Sequence, residues 1–215
     1  MRELATRTAV GIILIAIALA SALFGGTVFA VLVALIATIM YVEWSRMVGH
    51  WGFNWQLIGF VYCLLPAVSL LWIRERAEPS GIGRDFDLLI WVFLVVWSTD
   101  IGAYFAGRAI GGPKLAPSIS PNKTMAGLVG GVASAALIAG AWVYYVGLPA
   151  KLLWLAVLFG FAAQMGDLFE SGLKRRAGVK DSGTWLPGHG GLLDRLDGLV
   201  PVAVLTAALM VTGAL

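Results

Sequence analysis

Charge is scarce in this sequence, and cysteine is scarcer still. Of 215 residues, 15 are Lys or Arg and 12 are Asp or Glu, so 13% of the chain is charged while 60% is hydrophobic. That balance excludes an ordinary soluble domain, in which about 25% of residues are charged. The single cysteine, Cys63, excludes an internal disulfide, and its place in an apolar run reads as helix packing rather than catalysis. The sequence has no soluble basic domain, zinc finger or RNA-binding motif, so nucleic acid is not an expected partner. No internal repeat and no low-complexity linker divides the chain.

What the sequence does have is a succession of apolar runs, each close to the roughly 20 residues a helix needs to cross hydrocarbon. Mean hydropathy is +0.88. These runs predict an all-α, polytopic helical membrane protein with about seven spans, near residues 8–24, 27–43, 56–73, 87–107, 126–147, 152–170 and 198–214. The first two are separated by Gly25 and Gly26 and read as a tight helical hairpin. The first reads as a retained membrane helix rather than a cleaved signal peptide, because the next apolar run begins almost at once. Residues 1–85 are expected to supply N-terminal helices and residues 86–215 a catalytic membrane region, within one integrated membrane domain.

Orientation follows from the basic residues. Arg2, Arg7, Arg46, Arg108, Lys114, Lys123, Lys174, Arg175, Arg176, Lys180 and Arg195 fall on one side, against Arg74, Arg76, Arg84 and Lys151 on the other. The bias predicts a cytoplasmic N-terminus in the cell (inner) membrane. It also places on the cytoplasmic side a polar stretch that departs from the rest of the chain.

That stretch runs from Asp167 to Asp197 and holds Asp167, Glu170, Asp181, Asp194, Asp197, Lys174, Arg175, Arg176, Lys180, Arg195 and His189. An ionised residue at a helix centre in a bilayer costs on the order of 2.5–3.5 kcal/mol on insertion scales, so charge gathered here is expected to work. Gln164, Asp167, Ser171 and Lys174 are spaced three, four and three apart and share one helical face, which predicts a polar cavity. Lys174, Arg175 and Arg176 alone could be an interfacial anchor; Asp167 and Gln164 lie deeper and are not explained that way.

Pro187-Gly188-His189-Gly190-Gly191 cannot readily continue a helix and reads as a loop whose amides can approach an anion. Asp194 and Asp197 are three apart at the start of the last span, on one helical face, where two carboxylates can share a hard cation such as Mg2+. The plainer alternative is favourable placement in a first helical turn. Asp100 and Tyr104 share a face within the fourth span, and the loop after it adds Lys114, Lys123 and hydroxyls suited to phosphate oxygens.

Taken together, these residues resemble the phosphatidate cytidylyltransferases, also called CDP-diacylglycerol synthases. The resemblance rests on Ser171-Gly172-Leu173-Lys174-Arg175, Lys180-Asp181, Pro187-Gly188-His189-Gly190-Gly191 and Asp194-Arg195-Leu196-Asp197, with Asp100 to Arg108 and Ser120 to Thr124 as further matching segments. It covers roughly residues 90 to 200; the first 85 residues match only as apolar helices with a basic start. Two departures stand out. Ala126 occupies a position where many bacterial members carry an acidic residue, and the chain is shorter than typical members by about two N-terminal spans.

The resemblance implies attack by the phosphate of phosphatidic acid on the α-phosphorus of CTP, with release of pyrophosphate. It implies Mg2+ held by Asp167, Asp194 and Asp197, with room for a second cation, and catalytic roles for Lys174, Arg175, Lys180, Asp181, His189 and Arg195. Substrate contacts fall to Asp100, Lys123, Ser171, Gly190 and Gly191. The implied partners are CTP, phosphatidic acid and membrane lipids, and a homodimer is compatible with them. Two alternatives stand beside this reading: a CTP-dependent transferase acting on another lipid, and a membrane transporter. The transporter would be expected to show an inverted repeat, which the sequence lacks.

Overall fold

A computed structural model describes residues 2–75, 84–185 and 190–215. The elements run α1 (Arg2–Phe24), α2 (Gly26–Val48), α3 (Phe53–Glu75), α4 (Arg84–Ile110), β1 (Lys114–Ala116), β2 (Ser120–Thr124), α5 (Met125–Val146), α6 (Lys151–Arg176), α7 (Leu193–Leu196) and α8 (Leu199–Val211). Among the described residues, five helices are long and apolar enough to cross a membrane: Gly26–Val48, Phe53–Glu75, Asp85–Ile110, Met125–Val146 and Lys151–Arg176. The chain is thus a multi-pass helical membrane protein. The outermost two expected spans correspond to shorter apolar helices, Val10–Phe24 and Leu199–Val211.

Only Gly25 separates α1 from α2, with φ of 61°, a left-handed conformation that favours glycine. Arg74, at the end of α3, fixes this turn by donating from Nε to the Ala22 carbonyl at 2.7 Å.

Small residues set how the helices behind the site pack. A Cβ added at Gly131 of α5 would lie 2.7 Å from the Thr99 carbonyl oxygen of α4, and one added at Gly130 would lie 2.2 Å from the Ala106 Cβ. Without side chains at these points the two backbones approach closely, as expected where hydrophobic driving force between helices is weak. Trp91, Val92 and Val95 of α4 are fully buried against Ala135, Ala139, Ala156, Val202 and Ala203. A second core lies nearer the site and joins Met40, Trp44, Val48, Cys63, Leu173, Leu193 and Val200. Cys63 is a packing residue there, as its apolar setting predicts.

The segment after α4 differs from its reading as a loop. Strands β1 and β2 pair antiparallel, with Lys114 opposite Thr124 and Ala116 opposite Ser120. Pro113, Pro117 and Pro121 preclude a helix here. Thr124 ends the hairpin and caps α5, its side chain accepting from the Gly127 amide at 3.0 Å. The cap fixes β2 relative to α5 and so sets where Lys123 emerges.

Candidate active site

Of the helical face read from Gln164, Asp167, Ser171 and Lys174, all but Ser171 line a polar cavity. The cavity has a volume of about 690 Å³ and is lined by Asp100, Tyr104, Lys123, Gln164, Asp167, Lys174, Asp181, Asp194, Arg195 and Asp197. Helix α6 supplies Gln164, Asp167 and Lys174, α4 supplies Asp100 and Tyr104, β2 supplies Lys123, the turn after α6 supplies Asp181, and α7 with the residue after it supplies Asp194, Arg195 and Asp197. A Cβ at Gly166 would sit 2.4 Å from the Asp197 carbonyl oxygen. That close approach brings the α7–α8 junction against α6, so Asp197 faces the same space as Asp167.

The charges are paired across elements. Lys123 Nζ lies 2.6 Å from Asp167 Oδ2, and Ser171 donates to the other oxygen, Oδ1, at 3.2 Å. Lys174 is buried, with Nζ 2.5 Å from Asp194 Oδ1 and 3.2 Å from Oε1 of the fully buried Glu170. Asp194 Oδ2 accepts from the Ser182 amide at 2.9 Å and the Gly191 amide at 2.8 Å. Burial would raise the Asp194 carboxyl, but the hydrogen bond from Lys174 and those beside it prevail and hold it below the usual carboxylate range. Asp197 is 8% exposed, and its Oδ1 accepts from the Gly198 amide at 2.8 Å. Burial first, then the negative charge of Asp167, push the Asp197 carboxyl up to about 7.

Several predicted site residues sit elsewhere. Arg175 is exposed and donates from Nε to the Ile119 carbonyl at 3.1 Å and from Nη1 to the Val179 carbonyl at 3.2 Å, tying the β-hairpin to the end of α6. Lys180 is exposed and is not among the cavity-lining residues. His189 lies outside the described residues. Ser171 acts on Asp167 rather than lining the cavity. Gly190, with φ of 81°, would bring a Cβ to 3.1 Å from Asp194 Oδ2. Of the glycine loop, the Gly191 amide donates to the chain's own Asp194, and just beyond the loop the Leu192 and Leu193 amides donate to Glu43; Pro187, Gly188 and His189 lie outside the described residues.

Sequence reading missed Glu43, on α2, and left the side chain of Glu170 unplaced. Glu43 did carry a signal: a carboxylate inside an apolar span is expensive unless it has partners.

Residues 50–212 match the Cytidylyltransferase family. The chain belongs to this family. It is 46% identical over 184 residues to a phosphatidate cytidylyltransferase of Brucella suis biovar 1, an alignment covering 81% of this chain and 62% of that protein. The Pseudomonas aeruginosa phosphatidate cytidylyltransferase is 39% identical over 181 residues, covering 81% of this chain and 65% of the relative. For that of Rickettsia bellii the identity is 35% over 202 residues, covering 90% of this chain and 84% of the relative. The chain therefore spans less than two thirds of the length of the first two relatives. The matched region of this cytidylyltransferase-family chain includes every element that lines the polar cavity.

Proposed function

We propose that this chain transfers CMP from CTP to phosphatidic acid, forming CDP-diacylglycerol and pyrophosphate. The observation that carries the reading is the position of Arg195, which lines both the polar cavity and a neighbouring apolar cavity of about 110 Å³. The apolar cavity is walled by Phe29, Met40, Cys63, Phe93 and Leu199, among others. The first has room for a water-soluble nucleotide and the second for a short stretch of an acyl chain near its headgroup, with a guanidinium where the two substrates' phosphates would meet. The names of the relatives agree with it.

In this reading the acceptor's phosphate oxygen forms a bond to the α-phosphorus of CTP while the bond from that phosphorus to the β-phosphate bridging oxygen breaks. The electron pair leaves with pyrophosphate. The attacking phosphate is already largely ionised near pH 7, so no residue need act as a general base. Catalysis then rests on positioning and charge neutralisation. Lys123, Lys174 and Arg195 line the cavity as cationic partners for the phosphates. Asp194 keeps Lys174 in place, and Ser171 orients Asp167.

The donor set fits a hard divalent cation. All the acidic groups lining the cavity are carboxylates, and among the described residues no cluster of three His, Cys, Asp or Glu side chains forms a ready-made cage. Mg2+ commonly uses one or two carboxylates together with substrate phosphates. Asp167 and Asp197, with Asp100 beside them, are the residues that would hold it: the Asp167 side chain is 30% exposed and would exchange Lys123 for the cation, whereas Asp194 is buried and held by Lys174 and two amides. When bound, the cation would neutralise charge on the phosphates during displacement.

The eleven-to-four distribution of basic residues supports seven spans with a cytoplasmic N-terminus and a cytoplasm-facing cavity in the cell's inner membrane. An acceptor panel tests substrate choice. Purified protein with CTP and Mg2+ is expected to convert phosphatidic acid at least about tenfold faster than a phosphorylated polyprenol, and a chelator is expected to stop the reaction. Preference for the polyprenol would replace the proposed acceptor.

A further inference from the structure

A carboxylate from the N-terminal half reaches across the molecule into the loop that carries the site. Glu43 lies in α2 and is 1% exposed. Its Oε1 accepts from the Leu192 amide at 2.9 Å. Its Oε2 accepts from the Leu193 amide at 2.8 Å and from the Ser182 hydroxyl at 3.1 Å. These three donors are 139 to 150 residues away in sequence, so the contact is entirely tertiary.

The surrounding backbone is shaped to admit this side chain. A Cβ at Gly183 would fall 2.4 Å from Glu43 Oε1, and one at Gly191 would fall 2.7 Å from Oε2 and 2.0 Å from Ser182 Oγ. Any larger residue at either glycine would displace the carboxylate or the loop. The same short stretch performs a second task one bond further on. The Ser182 and Gly191 amides hold Asp194, which in turn holds Lys174 in the cavity wall. Ser182 and Gly191 thus stand between two carboxylates: Glu43 on the buried side and Asp194 on the cavity side.

We infer that Glu43 is a positioning residue for the transferase site. It fixes Ser182 and the Gly191–Leu193 turn, and through them the Asp194–Lys174 pair, without touching substrate. The inference rests on the CMP-transfer reading for its effect on turnover, but not for its effect on the loop. Glu43 is suited to the task because a carboxylate offers only acceptors, and every partner it has here is a donor. A carboxamide of the same size cannot replace it, because in either orientation its NH2 would face a backbone N–H, that of Leu192 or that of Leu193.

Two measurements on the full-length protein in detergent test this: steady-state kinetics and hydrogen exchange of peptides from residues 190–196, with peptides from α5 as reference. For Glu43→Gln, kcat is expected to fall about tenfold or more while KM for phosphatidic acid stays within about twofold, since transition-state alignment is lost and lipid binding is not. Exchange at residues 190–196 should accelerate with α5 unchanged. Ser182→Ala removes one of the three contacts and should give the same pattern more weakly, about threefold in kcat. Thr38→Ala, on an exposed face of α2, should behave as wild type.

A Glu43→Gln protein with kcat within about twofold of wild type, or with unaltered exchange at residues 190–196, would overturn the inference. So would faster exchange throughout α5, which would make Glu43 a general stabiliser. If Glu43→Gln does not accumulate folded, Ser182→Ala decides: wild-type turnover together with wild-type exchange overturns the inference. A wild-type chain that converts no CTP would defeat the transfer reading, while the exchange comparison would still report on Glu43.

Discussion

Asp197→Asn is expected to lower turnover at least about a hundredfold, because it removes charge from the site and almost nothing else. The side chain is 8% exposed and its Oδ1 accepts from the Gly198 amide. A carboxamide keeps that acceptor and the volume, so the α7–α8 junction should hold its shape. What disappears is a negative charge beside Asp167 and Asp100, which a divalent cation would need. Stability should move the other way. Burial raises the Asp197 carboxyl to about 7 from an unfolded value near 3.8, so the folded state favours the proton. The stability this group contributes is complete below its unfolded value and is lost as pH rises through about 7. In metal-free detergent at pH 8, thermal melting of Asp197→Asn is therefore expected at or above wild type. A variant that melts well below wild type would show that Asp197 serves the fold, and one that turns over normally would remove it from the proposed metal site.

Lys174→Met should have the opposite stability signature. Lys174 Nζ sits between Asp194 Oδ1 and Glu170 Oε1, and both carboxylates are largely or wholly buried. Removing one partner of a buried ion pair leaves uncompensated charge and costs about 3–5 kcal/mol. Asp194 would retain two amide donors. Asp194 is nonetheless the partner held below the usual carboxylate range and lies nearest to Lys174, so most of the loss should arise there. Adding Asp194→Asn to Lys174→Met should recover part of the lost stability but none of the lost turnover. Thermal unfolding of the single and double variants measures the coupling; losses that simply add would show that Lys174 and Asp194 are not a functional pair.

The spacing of charge along the chain made much of the polar cavity legible. Gln164, Asp167 and Lys174 share a cavity-facing side because helical periodicity places them there, and Asp100 and Asp197 meet the same space. The hairpin from Lys114 to Thr124 was not legible, since it depends on backbone pairing across a segment broken by prolines rather than on apolar alternation. Gly190 and Gly191 could be read as loop formers, but not as clearance for Asp194 and Glu43, because the groups they accommodate come from other elements. Glu43 was visible only as a charge misplaced in an apolar span. Its partners lie at the far end of the chain, beyond any local pattern. Arg175 shows the converse: its place in a motif implied chemistry, whereas its guanidinium ties the hairpin carbonyl of Ile119 to α6.

The fate of phosphate label tests the proposed transfer most directly. Purified protein would be given phosphatidic acid, Mg2+ and CTP labelled at either the α- or the γ-phosphate. The α-label is expected in a lipid product that co-migrates with CDP-diacylglycerol, and the γ-label only in pyrophosphate. Transfer of γ-label to lipid, or no labelled lipid from folded protein, would contradict the proposed transfer.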